Sequence, residues 1–213
     1  RFLAERLGNR LGTPVVVENK AGAGGVIAAD AVAKAKPDGR TLLLATGGAI
    51  TIAPHLLAKL SYDPRKDFVP VAMVADTPMT LAVRAQSPYT SVADLLKDAK
   101  ANPGKVSYAS TGNGTISHLT GELLAQSAGV PLLHVPYRGA GPAMTDLLGG
   151  QVSAMVTSSA SIEPMVHDKK ARVLASFTAA RIAALDGAPT MTEATGIKGL
   201  EVPVWVGLLV PAK

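Results

Sequence analysis

The chain has 213 residues, 47% of them hydrophobic and only 17% charged, which excludes a disordered polypeptide and allows one large or two small domains. A net charge of +5 favours anionic partners, but Lys and Arg are scattered without a basic run, which argues against nucleic acid. With no cysteine there is no disulfide, thiolate metal site or thiol nucleophile, and no apolar run reaches the about 18 residues that insertion into a membrane needs.

Phe2, Leu3, Leu7 and Leu11 have helical spacing, which predicts a helix over Arg1 to Arg10 with no capping residue before it. The far end, "VWVGLLVPAK", stops directly after a strand-like run, so both termini read as cut edges of a longer protein. Val15 to Glu18 reads as a short strand and "NKAGAGG" as a turn. An alanine-rich helix follows over Val26 to Lys36, closed by "PDG". Thr41 to Ala45 is a strand, "TGGAIT" a second glycine turn, and a short helix runs to about Leu60. Phe68 to Val74 and Thr80 to Arg84 read as strands. Ser91 caps a helix through Lys100, with Asp94 in its first turn at the positive end of the dipole. Val106 to Ala109 is a strand, followed by a polar loop and a helix to about Ser127. Leu132 to Pro136 is the next strand, and Pro142 sits at the start of the helix after "YRGAG". Val152 to Thr157, Arg172 to Phe177 and Glu201 to Val210 complete the strand-like runs.

This alternation predicts an α/β fold with mostly parallel sheets. One unit recurs without a fixed period: strand, glycine turn, helix. It occurs at Gly22–Gly25, Gly47–Gly48, Gly112–Gly114 and Gly139–Gly141. In open α/β sheets, ligands sit beyond the carboxyl ends of strands, where such turns lie.

The stretch "YASTGNGTISHL" (Tyr108 to Leu119) carries no charge before its histidine. A helix N-terminus leaves N–H groups unpaired and partly positive, so such a loop can bind an anion without a charged side chain. Thr111, Asn113, Thr115 and Ser117 would add side-chain hydrogen bonds; the competing role of the hydroxyls is to cap the helix. One helix terminus contributes about 0.3–1 kcal/mol to an anion. A hydrogen bond to a charged group contributes about 1.5–3 kcal/mol, and micromolar affinity needs about 8 kcal/mol. Several loops must therefore converge.

Other chemistries find little support. Gly112-Asn-Gly114-Thr-Ile-Ser117 resembles a dinucleotide fingerprint, but no acid lies about 20 residues on, near Leu132, so no nucleotide cofactor is expected. There is no phosphate-loop Gly-Lys-Ser/Thr and no G-x-S-x-G elbow. Ser117 and His118 are chain neighbours, which points their side chains apart on a helix. No two of His55, His118, His134 and His167 have metal spacing, so no metal is expected. His118, at a helix start, either caps the helix, touches a ligand or packs, His134 reads as structural, and Arg138 either pairs with a carboxylate or lies on the surface.

Taken in order, "VVVENKAGAGG", "AKPDGRTLLLATGG", "LSYDPRKDFVPVAMVA", "GKVSYASTGNGTISHL", "VPYRGAGPAMTDLLGGQVSAM" and "VPVWVGLLVPA" cover nearly the whole chain. Together they resemble the substrate-binding proteins of tripartite tricarboxylate transporters, the Bug-type solute receptors. The resemblance implies a two-lobed α/β fold of the type II periplasmic-binding-protein kind with a central ligand cleft. One lobe would hold residues 1–80 and 201–213 and the other 81–200, with crossings near Thr80–Arg84 and Val202–Val206. It implies a periplasmic, non-catalytic protein without cofactor that captures a small carboxylate. The carboxylate would be delivered to membrane permease subunits, with no nucleic acid and no direct membrane insertion. Carried to matching positions, the ligand-binding candidates are Gly24, Gly25, Thr46, Gly47, Gly48, Ala49, Ser110, Thr111, Gly112, Asn113, Gly114, Thr115, Ser117, Tyr137, Arg138, Gly139 and Ala140, with Thr157 and Ser158 after a strand. Against the family pattern, an opening strand with its glycine-rich loop and the closing helices are not in this sequence, and Ser153 stands where many relatives carry Asp. A chain cut in this way is expected to bind poorly and to self-associate. The rival readings are an enzyme using the same cleft for acyl or phosphoryl transfer, or a ligand-sensing regulatory domain.

Overall fold

A computed structural model describes residues 1–185 and 187–212. It contains two sheets. The first has three strands in the order β1 (Leu43–Thr46), β8 (Trp205–Pro211), β2 (Phe68–Asp76), all antiparallel. The second has five, in the order β5 (Leu133–Pro136), β4 (Ser107–Ser110), β6 (Ala154–Ser158), β3 (Met79–Arg84), β7 (Ala171–Ser176). The chain passes from the first sheet to the second at Thr77–Pro78 and returns just before Trp205. The two passages are tied by the Thr77 N–H donating to the Val204 carbonyl at 2.9 Å. Thr80 to Arg84, expected as a crossing, lies wholly within the second sheet, paired to β6 and β7.

The expectation of mostly parallel sheets is corrected. Only β4–β5 and β4–β6 are parallel, while β3 runs against both its neighbours and the first sheet is antiparallel throughout. The reason is topological. A parallel pair needs a helical crossover, and β4, β5 and β6 are joined by α5 (Ile116–Ala128) and α6 (Ala140–Gly149). By contrast β3 enters directly from the other sheet. Val15 to Glu18 forms no strand: Val16 stays 86% exposed with no ladder partner, and β-propensity without a partner does not make a strand. Two helices escaped the sequence reading, α7 (Ser159–His167), which contains Pro164, and the one-turn α8 (Met191–Thr195).

The second sheet is packed on both faces. Leu81, Val83, Tyr108 and Val156 lie with α4 (Val92–Ala101) and α5 on one side. Ala82, Ala109 and Met155 lie with α6 and α7 on the other. Strand alternation explains the split, since successive residues point to opposite faces. The Tyr108 ring fits only because residue 121 of α5 is glycine; a Cβ there would run into the ring. Helix α4 begins as expected at Ser91, in a full capping box with Asp94. The first sheet carries α2 (Val26–Ala33) on one face, over Leu43, Ala45 and Leu209.

Candidate functional site

Because β4, β5 and β6 are parallel, their carboxyl ends lie along one edge of the sheet, and each feeds a helix there: β4 into α5, β5 into α6, β6 into α7. Thr115, Gly139 and Ser158 are the residues that begin those helices. From the other side, the Gly22–Gly25 turn leads into α2, whose capping residue is Gly25. All four capping residues line one cleft of about 650 Å³ between the sheets. Thr115 caps α5 through its own hydroxyl, but Gly25, Gly139 and Ser158 make no side-chain cap bond. Three of the helix starts therefore have no side-chain cap, and the Gly25, Gly139 and Ser159 N–H groups bond instead to the Gly22, Thr111 and Pro78 carbonyls.

The loops approach one another closely. A Cβ on Gly48 would sit 2.8 Å from the Gly24 carbonyl oxygen, so only glycine lets the turn after β1 pack against the first turn. A Cβ on Gly24 would come within 3.6 Å of the Asn113 carbonyl, which brings the two halves together at the cleft. The second-half loops are pinned to each other by the Tyr137 N–H on the Ser110 carbonyl at 3.1 Å and the Gly139 N–H on the Thr111 carbonyl at 3.3 Å.

Of the expected ligand residues, Gly24, Gly25, Thr46, Gly48, Thr111, Gly112, Asn113, Thr115, Ser117, Tyr137, Arg138, Gly139, Thr157 and Ser158 line this cleft. Gly47, Ala49, Ser110, Gly114 and Ala140 do not form part of its wall. Lys20, Thr77, Met79, Ser161, Val204 and Val206 line it too and were not among the ligand-binding candidates. The signal for Thr77 and Val204 was present, since both sit at the passages between sheets, where a cleft between two halves must lie.

The hydroxyls divide into two kinds. Ser117 is buried and its Oγ accepts from the Thr111 N–H at 2.9 Å while meeting the Thr111 and Thr115 hydroxyls at 2.9 and 3.0 Å. It holds the loop in shape. The Thr115 hydroxyl donates to the Gly112 carbonyl at 2.7 Å and accepts from the His118 N–H at 3.4 Å. Thr157 differs: its Oγ1 is buried, has no hydrogen-bond partner, and belongs to the cleft wall. A buried hydroxyl without a partner costs about 1–3 kcal/mol, which a ligand acceptor would relieve.

Charge points the same way. Among the described residues, the charged side chains of the wall are Lys20 and Arg138, with no Asp, Glu or His. Lys20 is paired to Glu18 at 2.9 Å and Arg138 is exposed. The Tyr137 phenol is pushed up to about 12, first by burial and then by Asp146, to which it donates at 2.6 Å, so it stays neutral.

Behind the loop lies a second cluster. The His118 and His134 rings stack at 4.1 Å between centroids, and the Tyr108 ring also stacks with His134 at 5.0 Å. Ser110 Oγ and His134 Nε2 are 2.6 Å apart, but Ser110 is fully buried and lies off the cleft wall, so this pair offers no nucleophile to a ligand there. Ser117 bonds within its loop and not to His118, as expected for chain neighbours. Burial, then the adjacent His118, holds the His134 imidazole below its ordinary value. His118, Glu122 and His134 together could hold a metal ion, with donor atoms all within 4.8 Å of one another. Comparing histidines only with histidines misses this group; His118 and Glu122 are four apart on one face of α5.

A family model described as the tripartite tricarboxylate transporter family receptor matches residues 1–213. The chain belongs to this family. A Pseudomonas protein encoded in the tcbD-tcbE intergenic region is 41% identical over 211 residues, covering 99% of this chain and 62% of that relative. This receptor-family chain therefore spans less than two thirds of the length of that curated relative. A solved structure of an R. palustris protein with adipate is 35% identical with a TM-score of 0.94, covering 99% of this chain and 70% of the other. MatC from Rhodopseudomonas palustris, with bound malate, is 33% identical with a TM-score of 0.92, covering 100% and 72%. The mixed α/β architecture is that of periplasmic binding proteins, with sheets flanked by helices.

Proposed function

We propose that this chain is the ligand-binding part of an extracytoplasmic receptor that captures a small carboxylate in the cleft and passes it to membrane permease subunits of a tripartite tricarboxylate transporter. The observation that carries the reading is the convergence of four helix N-termini on a wall whose charged side chains are both basic. The helix starts at Gly25, Gly139 and Ser158 would favour a carboxylate through their dipoles, and the Thr157 hydroxyl would donate to it. Arg138 would supply long-range attraction. The adipate and malate carried by two related structures are small acids of this kind.

Binding without turnover is the favoured role. The described wall has no histidine or carboxylate to act as a general base, and its buried serine, Ser117, is committed to the loop. No described helix is long and apolar enough to cross a membrane. Delivery would then depend on a partner in the membrane.

Calorimetry with adipate, malate and their diamides tests the reading. The acids should bind at least about tenfold more tightly than the amides, since each lost hydrogen bond to a charged group is worth about 1.5–3 kcal/mol and 1.4 kcal/mol is tenfold. Equal affinity for acid and amide would sink the carboxylate assignment.

A further inference from the structure

We propose that His118, Glu122 and His134 form a binding site for a zinc-type divalent metal ion, separate from the carboxylate cleft. Two imidazoles and one carboxylate are a donor set that Zn²⁺ accepts, with water in the fourth position. The helix supplies two of the donors at the four-residue spacing that puts them on one face, and the edge strand β5 supplies the third across the gap. The donor atoms lie within 4.8 Å of one another. Tetrahedral zinc with bonds of about 2.0–2.2 Å wants its donors about 3.4 Å apart, so modest side-chain movement closes the site.

The surroundings are already those of a metal site's supporting shell. His134 Nε2 meets Ser110 Oγ at 2.6 Å, which leaves Nδ1 for the ion. One Glu122 oxygen accepts from the Tyr108 hydroxyl at 2.7 Å, which orients the carboxylate. Glu122 is exposed and borders a surface depression of about 580 Å³, which gives an ion a way in. Two local contacts must change. The rings are stacked with only 21° between their planes. Since imidazole lone pairs lie in the ring plane, one ring must swing for both to face a single ion. His118 Nδ1 also accepts from the Gly114 N–H at 3.2 Å. If the ion takes Nδ1 it displaces that N–H; if it takes Nε2, the ring proton moves to Nδ1, which can then no longer accept. Either way the ion releases a contact of the carboxylate loop.

The test is titration of the chain with Zn²⁺ by calorimetry, and with Co²⁺ by visible absorption as a report of coordination. One Zn²⁺ per chain and a four-coordinate Co²⁺ spectrum are expected. His118→Ala and His134→Phe should each weaken Zn²⁺ binding by about tenfold or more, because even supporting-shell changes cost about 10–100-fold. His134→Phe keeps an aromatic ring against Tyr108, and Glu122→Gln keeps an acceptor for its hydroxyl. Loss of Zn²⁺ binding in these folded variants therefore reports a lost donor. His55→Ala, outside the cluster, should bind as the parent does. No Zn²⁺ uptake by the parent, or uptake that survives both His118→Ala and His134→Phe, would overturn the assignment. The carboxylate titration with adipate, run without Zn²⁺, tests the cleft separately.

Discussion

The two halves of the molecule solve burial differently. The five-stranded half is covered on both faces, and among the described residues the large apolar side chain it leaves exposed is Leu133. The three-stranded half has a single small cluster around Leu43, Phe68 and Leu209. Val69, Val71, Met73 and Val74 of β2 are exposed, as are Leu42 and Leu44 at the opposite edge of the sheet. Both β1 and β2 are edge strands of that sheet. Exposed apolar side chains on open edge strands are the combination that invites association. The cleft wall divides the same way. The five-stranded half contributes hydroxyls and three helix starts to the cleft, whereas the other half contributes mainly the glycine turns.

The largest effect should separate the two cores. Leu81→Ala, at a fully buried position, should cost about 2–5 kcal/mol in urea unfolding, and Leu44→Ala, at a site 59% exposed, about 0.5 kcal/mol or less. Equal losses would show that the first sheet's exposed edge is covered in solution. Next comes the glycine contact of the smaller half. Gly48→Ala puts a methyl group against the Gly24 carbonyl and should push the Gly22–Gly25 turn out of place. Adipate or malate affinity should fall by about tenfold or more, on the reckoning of one lost charged hydrogen bond. Unchanged affinity would remove that turn from the site.

Thr157→Val and Ser117→Ala sharpen the contrast within the larger half. The first removes an unpartnered hydroxyl, so affinity should drop by about tenfold while the melting temperature holds or rises. The second breaks the loop's internal bonds and should lower stability by about 1 kcal/mol. If Thr157→Val leaves affinity unchanged, that hydroxyl does not face the ligand. A smaller effect concerns α4. Ser91→Ala should cost about 1 kcal/mol. Hydrogen bonds from the Thr90 and then the Ser91 side chains hold the Asp94 carboxyl below its ordinary value. A depressed carboxylate stabilises the fold above its unfolded pKa of about 3.9, and that share is lost as pH falls through the folded value. Acid titration of Asp94→Asn should therefore show a shallower loss of stability below about pH 4 than the parent. The smallest effect on stability should come from the exposed edge strand β2: Val71→Ser with Met73→Ser should reduce binding of a hydrophobic dye and light scattering with little change in unfolding.

Local chemistry decided much of this protein before any folding was considered. Helical spacing marks α1 (Phe2–Leu11), and Ser91 with Asp94 marks the start of α4. The recurring glycine turns mark helix starts, because these signals act over a few residues. Most of the cleft wall was legible for the same reason: a glycine turn after a strand is a ligand position in this class of fold. Strand direction was not, because the same apolar run pairs either way, and only the passage of the chain from one sheet to the other turned β3 against β6 and β7. Val15 to Glu18 had the composition of a strand and found no ladder. The roles of the hydroxyls were likewise undecided. Thr115, Ser117 and Thr157 are equivalent as residue types, and only their packed neighbours spend two of them on the loop and leave the third without a partner. The His118, Glu122 and His134 cluster belongs to the same category. Two of its three members share a helical spacing legible in the sequence, and the third is set beside them only by the pairing of β5 at the sheet edge. Backbone geometry is local, but which side chains share a desolvated space depends on residues far apart in the chain, and that is where tertiary structure had the decision.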